Sequence, residues 1–323
     1  MTSQNIKDYL RLNKQATGHD ISNVLNLTDR AIRKQLANLL KKGEVVKIGK
    51  SPKVYYSLPS TKIFARQTIK LDSKEADFID KNYLYISSAG EKLSGVNGFT
   101  KWCQKTKQPL EKTAKDYINM LNKYYSLRKN GLIDGMVKIK RTFKKIGLDK
   151  IFYIDFYSID RFGKTKLGQM LLYSKQSQDR NLMRELISVI KPRIHNLVAK
   201  YDITSVGYIP PTVKREVQFM KVLERELSLN LLKINIIKIK TEIIVPQKTL
   251  NKLEDRIENA KKTIIIDDKQ IHNNILLIDD AVGSGATLNE TALQIREKKI
   301  CKGKIIGLAI TGSYKGFDVI SEV

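Results

Sequence analysis

An α/β fold with a mostly parallel sheet, carried behind a small N-terminal module of helices and strands, is what this sequence predicts. Three observations predict it. From Gly147 onward short β-rich runs alternate with amphipathic helical stretches, the pattern of parallel strands joined by crossover helices. Residues 275–278 are an unbroken apolar run, fit for a central strand, and lead through Asp279 and Asp280 into a glycine-containing turn and a helical stretch. Between Ile6 and Leu58 the hydrophobic period changes from helical to alternating.

That N-terminal stretch reads, in order, helix, helix, helix, strand, turn, strand. Ile6, Tyr9 and Leu10 mark one helical face, and Asp20 is placed to cap a second helix bearing Ile21, Val24 and Leu25. After a turn at Asn26 and Leu27, Thr28 is placed to cap a third helix with Ile32, Leu36, Leu39 and Leu40 at helical spacing, ended by Gly43. Residues 44–48 and 54–58 read as strands around a wing. This is the order of a winged helix-turn-helix over residues 1–60, and it resembles bacterial winged-helix regulators in pattern, the fold having no invariant signature. With the apolar stripe buried, Asp29, Arg30, Arg33 and Lys34 face outward near the start of the third helix, where a recognition helix meets bases and phosphates. Lys50 and Lys53 fall on the wing, beside the nucleic-acid backbone. The predicted partner is DNA; a winged helix that serves only as a protein-contact module has the same pattern.

Charge agrees with a polyanionic partner: 59 Lys and Arg against 33 Asp and Glu leave a net +26, and each neutralised phosphate releases condensed counterions. A Lys-rich, solvated surface would show the same excess. No apolar run approaches the roughly 18 residues of a membrane span, and the polar start MTSQNIKDYL lacks a secretory signal's apolar stretch. The expectation is a cytoplasmic protein with no membrane partner. Cys103 and Cys301 form no C-x-x-C pair, which excludes a zinc ribbon and argues against a disulfide framework. His19, His195 and His272 have no catalytic partner at a useful spacing.

Residues 61–147 read as a basic, mostly helical connector. Residues 87–90 and 94–98 look like loops, and 99–125 have helical spacing through Trp102, Leu110, Tyr117, Ile118 and Leu121. Between Lys101 and Lys145 thirteen Lys or Arg stand against Glu111, Asp116 and Asp134, so this is either a second nucleic-acid surface or a bundle with solvated basic faces. Trp102 reads as a core residue.

In the carboxy-terminal half, residues 151–159 read as a strand paired with the next segment across Phe162 and Gly163. Then come a helix at 181–200, a strand at 205–209, a helix at 214–227 and a strand at 231–239. The turn after Asp280 carries the chemistry. Gly283 and Gly285 let successive N–H groups converge at a helix N-terminus, where the dipole and free donors favour a phosphate. Ser284 and Thr287 can add hydroxyl donors. The adjacent carboxylates of Asp279 and Asp280 suit the cis diol of a ribose and can help hold a divalent cation. A P-loop would need a Lys after the last glycine, and none follows Gly285.

An apolar strand, Asp-Asp, a short run ending in Gly285, then Ala286-Thr287 resembles the phosphoribosyl-pyrophosphate (PRPP) motif of type I phosphoribosyltransferases. The resemblance implies that Gly283, Ser284, Gly285, Ala286 and Thr287 bind the 5′-phosphate. It implies that Asp279 and Asp280 take the ribose hydroxyls, serve as the catalytic pair and hold Mg²⁺, directly or through water. Residues 171–186 are similar to a helix of the ComF-like competence family, and 208–215 to its first strand and pyrophosphate loop, with Pro211, Thr212, Lys214 and Arg215. Pro246-Gln247 with Leu250, Glu254, Arg256, Asn259 and Lys261 resembles its flexible loop. Three departures stand out: the family's zinc ribbon is missing, Val217-Gln218-Phe219 replaces Phe-Asn-Gln, and Lys248-Thr249 stands where a small residue and glycine are common. The resemblance implies a Rossmann-like phosphoribosyltransferase domain over 148–323. Joined to a winged helix, it is similar in domain logic to PurR-type purine repressors of Gram-positive bacteria. The expected function is a PRPP- or nucleotide-responsive transcriptional regulator, binding DNA as a homodimer as such regulators usually do. The alternative is an active Mg²⁺-dependent phosphoribosyltransferase recruited to DNA, in nucleotide metabolism, competence, recombination or anti-phage defence. Such an enzyme would hold pyrophosphate with Lys214, Arg215, Arg256 and Lys261 while C1 passes through an oxocarbenium-like state.

Overall fold

A computed structural model describes residues 2–50, 53–59, 71–213, 215–239, 242–243, 245 and 249–314, with backbone alone at 49, 50 and 53. The chain divides into two compact units, Met1–Lys70 and Leu71–Val323.

The first unit contains α1 (Thr2–Asn13), β1 (Gln15–Thr17), α2 (Gly18–Leu25), α3 (Asp29–Lys41), β2 (Val46–Lys50) and β3 (Lys53–Ser57). Ile6, Leu10, Ile21, Ile32, Leu36 and Leu39 form its core, the faces that helical spacing marks. Thr17, rather than Asp20, caps α2: its hydroxyl accepts the Asp20 N–H and the Asp20 carboxylate accepts the Thr17 N–H. A carboxylate three residues after a Thr completes a reciprocal capping box and so belongs inside the helix. Val24 is exposed instead of joining the core. Thr28 caps α3 by accepting the Ala31 N–H. The three antiparallel strands lie in the order β1-β3-β2, and β1 is too short for its period to show in the sequence.

The second unit opens with α4 (Ser73–Asn82), β4 (Leu84–Ile86), β5 (Lys92–Ser94), α5 (Gly95–Lys105), α6 (Leu110–Tyr125), β6 (Arg128–Lys129), β7 (Leu132–Asp134) and α7 (Met136–Thr142). Residues 95–98, read from sequence as loop, are the first turn of α5. Gly95 starts it at φ +59, where an added Cβ would lie 2.0 Å from the Asp80 carboxylate. The helical stretch 99–125 breaks at Lys107, with φ 55, before Pro109, which has no N–H to continue a helix. Trp102 packs between Phe99 and Phe162, with ring centroids 6.0 and 5.6 Å away.

Next follow β8 (Lys150–Phe156), β9 (Ser158–Ile159), β10 (Gly163–Lys164), α8 (Lys166–Ser177), α9 (Arg180–Lys200), β11 (Ser205–Tyr208) and α10 (Phe219–Leu227). The chain continues through β12 (Leu232–Lys233), β13 (Ile236–Lys238), α11 (Leu253–Thr263), β14 (Ile264–Ile266), β15 (Ile275–Val282), α12 (Ala286–Glu297) and β16 (Ile305–Gly312). Among the described residues a seven-stranded sheet runs β12-β11-β15-β16-β8-β7-β6. Its first five strands are parallel, and β7 and β6 turn antiparallel at the edge.

Parallel strands need both faces covered, and alternate residues of β15 serve the two sides. Leu276 and Ile278 join Leu171 of α8, Leu186 of α9 and Leu223 of α10. Ile275 and Leu277 join Ala292 of α12 and Ala260 of α11, together with Tyr117, Leu121, Ile133 and Ile139. Residues 71–142 therefore supply two strands and much of one covering layer, within the α/β unit instead of as a separate connector. Their apolar residues enter both layers, Leu84 and Leu132 on one side of the sheet and Tyr117, Leu121 and Ile139 on the other. The run 231–239 also divides: β12 extends the main sheet while β13 pairs antiparallel with β14. The helix read at 214–227 begins at Phe219. Both cysteines are free, and among the described residues no helix is long and apolar enough to cross a membrane.

Candidate functional site

β11 and β15 are neighbouring parallel strands, but the helices that follow them leave to opposite faces, α10 to one and α12 to the other. Where successive crossovers part in this way, a crevice opens beyond the carboxyl ends of the strands. An open cleft lies there, bounded by 209–213, Arg215, Lys175, Lys238, Arg256 and 279–288.

β15 runs past Ile278 through the two aspartates to Val282, and both aspartates line the cleft. Gly285 then turns the chain into α12 at φ +90, and a Cβ there would meet Ile139 Cδ1 at 2.4 Å, so a side chain is excluded on two counts. Gly285 has no side chain to cap α12, which leaves the first-turn N–H groups after that of Ala286 for a ligand or water. Ser284 is buried and its Oγ accepts the Ala286 N–H at 3.3 Å, tightening the turn. Ala286 and Thr287 line the cleft beside it.

The electrostatics favour an anion. Lys175, Arg215, Lys238 and Arg256 line the same cleft as Asp279 and Asp280. Lys175 Nζ sits 2.7 Å from Asp280 Oδ2, both side chains largely buried. Arg215 donates from Nη1 to the carbonyl of Lys175, and Lys238 Nζ donates to the Thr212 hydroxyl at 2.6 Å. Arg256 is buried in α11 and donates from Nε to the Leu250 carbonyl at 2.7 Å. Burial, followed by the neighbouring Asp280 charge, pushes the Asp279 carboxyl up to about 7, while its Oδ1 accepts the Asp280 N–H. Burial lowers the Lys238 ammonium from its ordinary value, and the Asp279 charge opposes that shift.

The cleft thus brings together Asp279, Asp280, residues 283–287, Pro211, Thr212, Arg215 and Arg256. Lys214, Pro246, Gln247 and Lys248 lie outside the described residues. Lys261 is exposed on α11 and takes no part in the cleft wall. In the other unit, Arg30, Arg33 and Lys34 are all exposed on α3, whose inner face is Ile32, Leu36 and Leu39. Lys50 ends β2 and Lys53 begins β3.

Three lysines were missed by reading motifs. Lys238 did leave a signal, since it continues the alternation of buried Ile234 and Ile236 and so points to the covered side of its strand. Lys175 left none. Nor did Lys138 on α7, whose Nζ donates to the Gly283 carbonyl at 2.9 Å and lies 3.4 Å from that of Ser313, fastening the turn from outside the cleft. His272, without a partner by sequence spacing, has two in space: its Nδ1 is 2.8 Å from Ser205 Oγ and its Nε2 is 3.3 Å from Asp268 Oδ2. Ser205 and His272 are fully buried where β11 and β15 begin, at the end of the sheet away from the cleft, so this chain ties the fold together.

No family model matches the chain, and no curated protein matches it. Among solved structures it is similar to a hypoxanthine phosphoribosyltransferase from Staphylococcus aureus, at 14% identity over 42% of this chain and 80% of that one, with a TM-score of 0.25. So slight a likeness says nothing of fold or activity.

Proposed function

We propose that this is a DNA-binding protein whose α/β unit has a phosphoribosyltransferase-like fold and binds PRPP or a nucleotide, as the sensor of a transcriptional regulator. The observation that carries the ligand reading is the composition of the single cleft wall formed by 279–288. Carboxylates suited to a ribose diol stand next to an uncapped helix N-terminus suited to a phosphate, with Arg215, Lys238 and Arg256 beyond them for a second anionic group. The reading of the first unit as a winged helix is supported by its element order, its three-stranded antiparallel sheet and the exposed cations of α3. Reversible pairing as a homodimer belongs to this reading.

PRPP should raise the melting temperature, and the double variant Asp279→Asn with Asp280→Asn should lose the rise. Stabilisation follows mass action and reaches about 2.7 kcal/mol at a hundredfold excess over Kd. Equal rises in both proteins would remove the ligand assignment.

One feature of the site favours the enzymatic reading: burial and the neighbouring Asp280 carboxylate push the Asp279 carboxyl up to about 7, where a proton-transfer group is most effective. In that reading the residues bind and orient PRPP, Lys238 and Arg215 hold the departing pyrophosphate, and Asp279 exchanges a proton with the incoming base or ribose hydroxyl. Pyrophosphate release from PRPP in the presence of a panel of bases separates enzyme from sensor.

The expected Mg²⁺ fits these residues poorly as a protein-held ion. Among the described residues no three His, Cys, Asp or Glu side chains gather to hold a metal, Asp280 is already paired with an ammonium, and Asp279 Oδ1 is turned back onto the backbone.

A further inference from the structure

We propose that Lys175 serves as a built-in counter-ion in place of a protein-held divalent cation, so that the cleft binds its phosphorylated ribose ligand without metal; this rests on the ligand reading above.

Lys175 lies in the last turn of α8, whose Leu171, Leu172 and Ser174 are buried against the sheet. Its backbone is held from the other side of the cleft. The Lys175 carbonyl accepts from Arg215, and three residues on, the Gln178 side-chain oxygen accepts the Val217 N–H at 2.8 Å. The loop between β11 and α10 therefore clamps the end of α8. The ammonium is delivered to Asp280 from a fixed backbone, with both side chains of the 2.7 Å pair only 16% exposed. That separates it from the solvated ion pairs of the surface, such as Lys262 with Glu258, which are mostly exposed.

A divalent cation such as Mg²⁺ needs several oxygen ligands at about 2.0–2.1 Å in near-octahedral array. Here Asp280 Oδ2 faces an ammonium and Asp279 Oδ1 faces an N–H. A metal could bind Asp280 only beside a like charge at hydrogen-bond range, or by expelling Lys175 and leaving its ammonium desolvated without a counter-ion. Lys175 engages Asp280 through Oδ2, which leaves Oδ1 for a ribose hydroxyl. The remaining N–H donors of Lys175, itself part of the cleft wall, can reach a phosphate oxygen, so one side chain performs both services of a metal: it neutralises the acid and bridges it to the ligand.

The test compares the full chain with Lys175→Met, and with Lys175→Gln as a second variant should the first fail to fold. Mn²⁺ alone, followed by electron paramagnetic resonance, should find no site in the wild type that Asp280→Asn removes. In Lys175→Met it should find one that Asp280→Asn does remove. By calorimetry, wild-type affinity for PRPP should change by less than about threefold between excess EDTA and millimolar Mg²⁺. Lys175→Met should lose about tenfold or more in EDTA, the scale of one charge-assisted hydrogen bond, and recover with Mg²⁺. A wild-type Mn²⁺ site lost on Asp280→Asn, or wild-type PRPP binding abolished by EDTA, overturns the proposal. If PRPP binds under neither condition, the ligand reading fails, while the Mn²⁺ arm still decides the role of Lys175.

Discussion

Asp279 is the acid of the site whose protonation the fold shifts most clearly. Its carboxyl titrates near 7 against an ordinary 3.8, first through burial and then through the charge of Asp280. Because the folded pKa lies above the unfolded one, this group's contribution to stability is fully present below about pH 4 and is lost as pH rises through about 7. Asp279→Asn removes that dependence. Its melting temperature, taken relative to wild type, should therefore climb between pH 4 and 7, and thermal melts across that range check it. A constant difference would mean that Asp279 is ionised at low pH like a surface carboxylate. The pairing of Asp280 with Lys175 has the same origin: a carboxylate largely buried at the end of an interior strand must find a counter-charge.

At the scale of elements, α7 acts on the glycine turn before α12 without lining the cleft. Lys138 holds the Gly283 carbonyl and Ile139 fills the space over Gly285. Behind them Asn289 of α12 accepts the Gly147 N–H and donates to the Lys145 carbonyl, both at 3.0 Å. Residues 136–147 thus form a brace on the start of α12. Lys138→Met should cost about 1–2 kcal/mol of stability, the net value of a charged hydrogen bond to a half-buried carbonyl. Urea unfolding measures this, and inorganic phosphate binding to the folded variant should weaken as the turn loosens. Unchanged binding with lowered stability would make the brace purely structural.

For the whole molecule, the proposed sensor must couple two units. A ligand shifts DNA binding only by as much as it distinguishes the two states, and the coupling is reciprocal. PRPP should weaken DNA binding by about 1–3 kcal/mol, the usual range of such linkage. Labelled DNA titrated at fixed salt with and without PRPP reads it, with Asp279→Asn plus Asp280→Asn as the ligand-blind control. Arg33→Ala, on the exposed face of α3, should itself cost about 1–3 kcal/mol of DNA affinity and relax sequence preference. Superimposable isotherms would leave the recruited enzyme as the better reading.

The local pattern by itself determined the helices of the first unit, the central strand β15 and the glycine turn after it. These depend on interactions close in sequence: Thr28 with Ala31 at a cap, or a run of apolar residues too short for a helix and bounded by polar ones. It also set Asp279 and Asp280 directly before that turn, through a motif whose members follow one another along the chain, whereas Arg215 and Arg256 were marked only by resemblance to a known family's loops. Where capping choices competed, as between Thr17 and Asp20, reading outward from the wrong one moved the boundary. Only the tertiary structure decided that residues 71–142 complete the sheet, that β12 and β13 part company, and that Lys138, Lys175 and His272 meet Gly283, Asp280 and Ser205. Those partners are separated by 145, 105 and 67 positions. No periodicity spans such distances; a charged side chain finds its counter-charge only after the apolar faces have packed and brought the strand ends together.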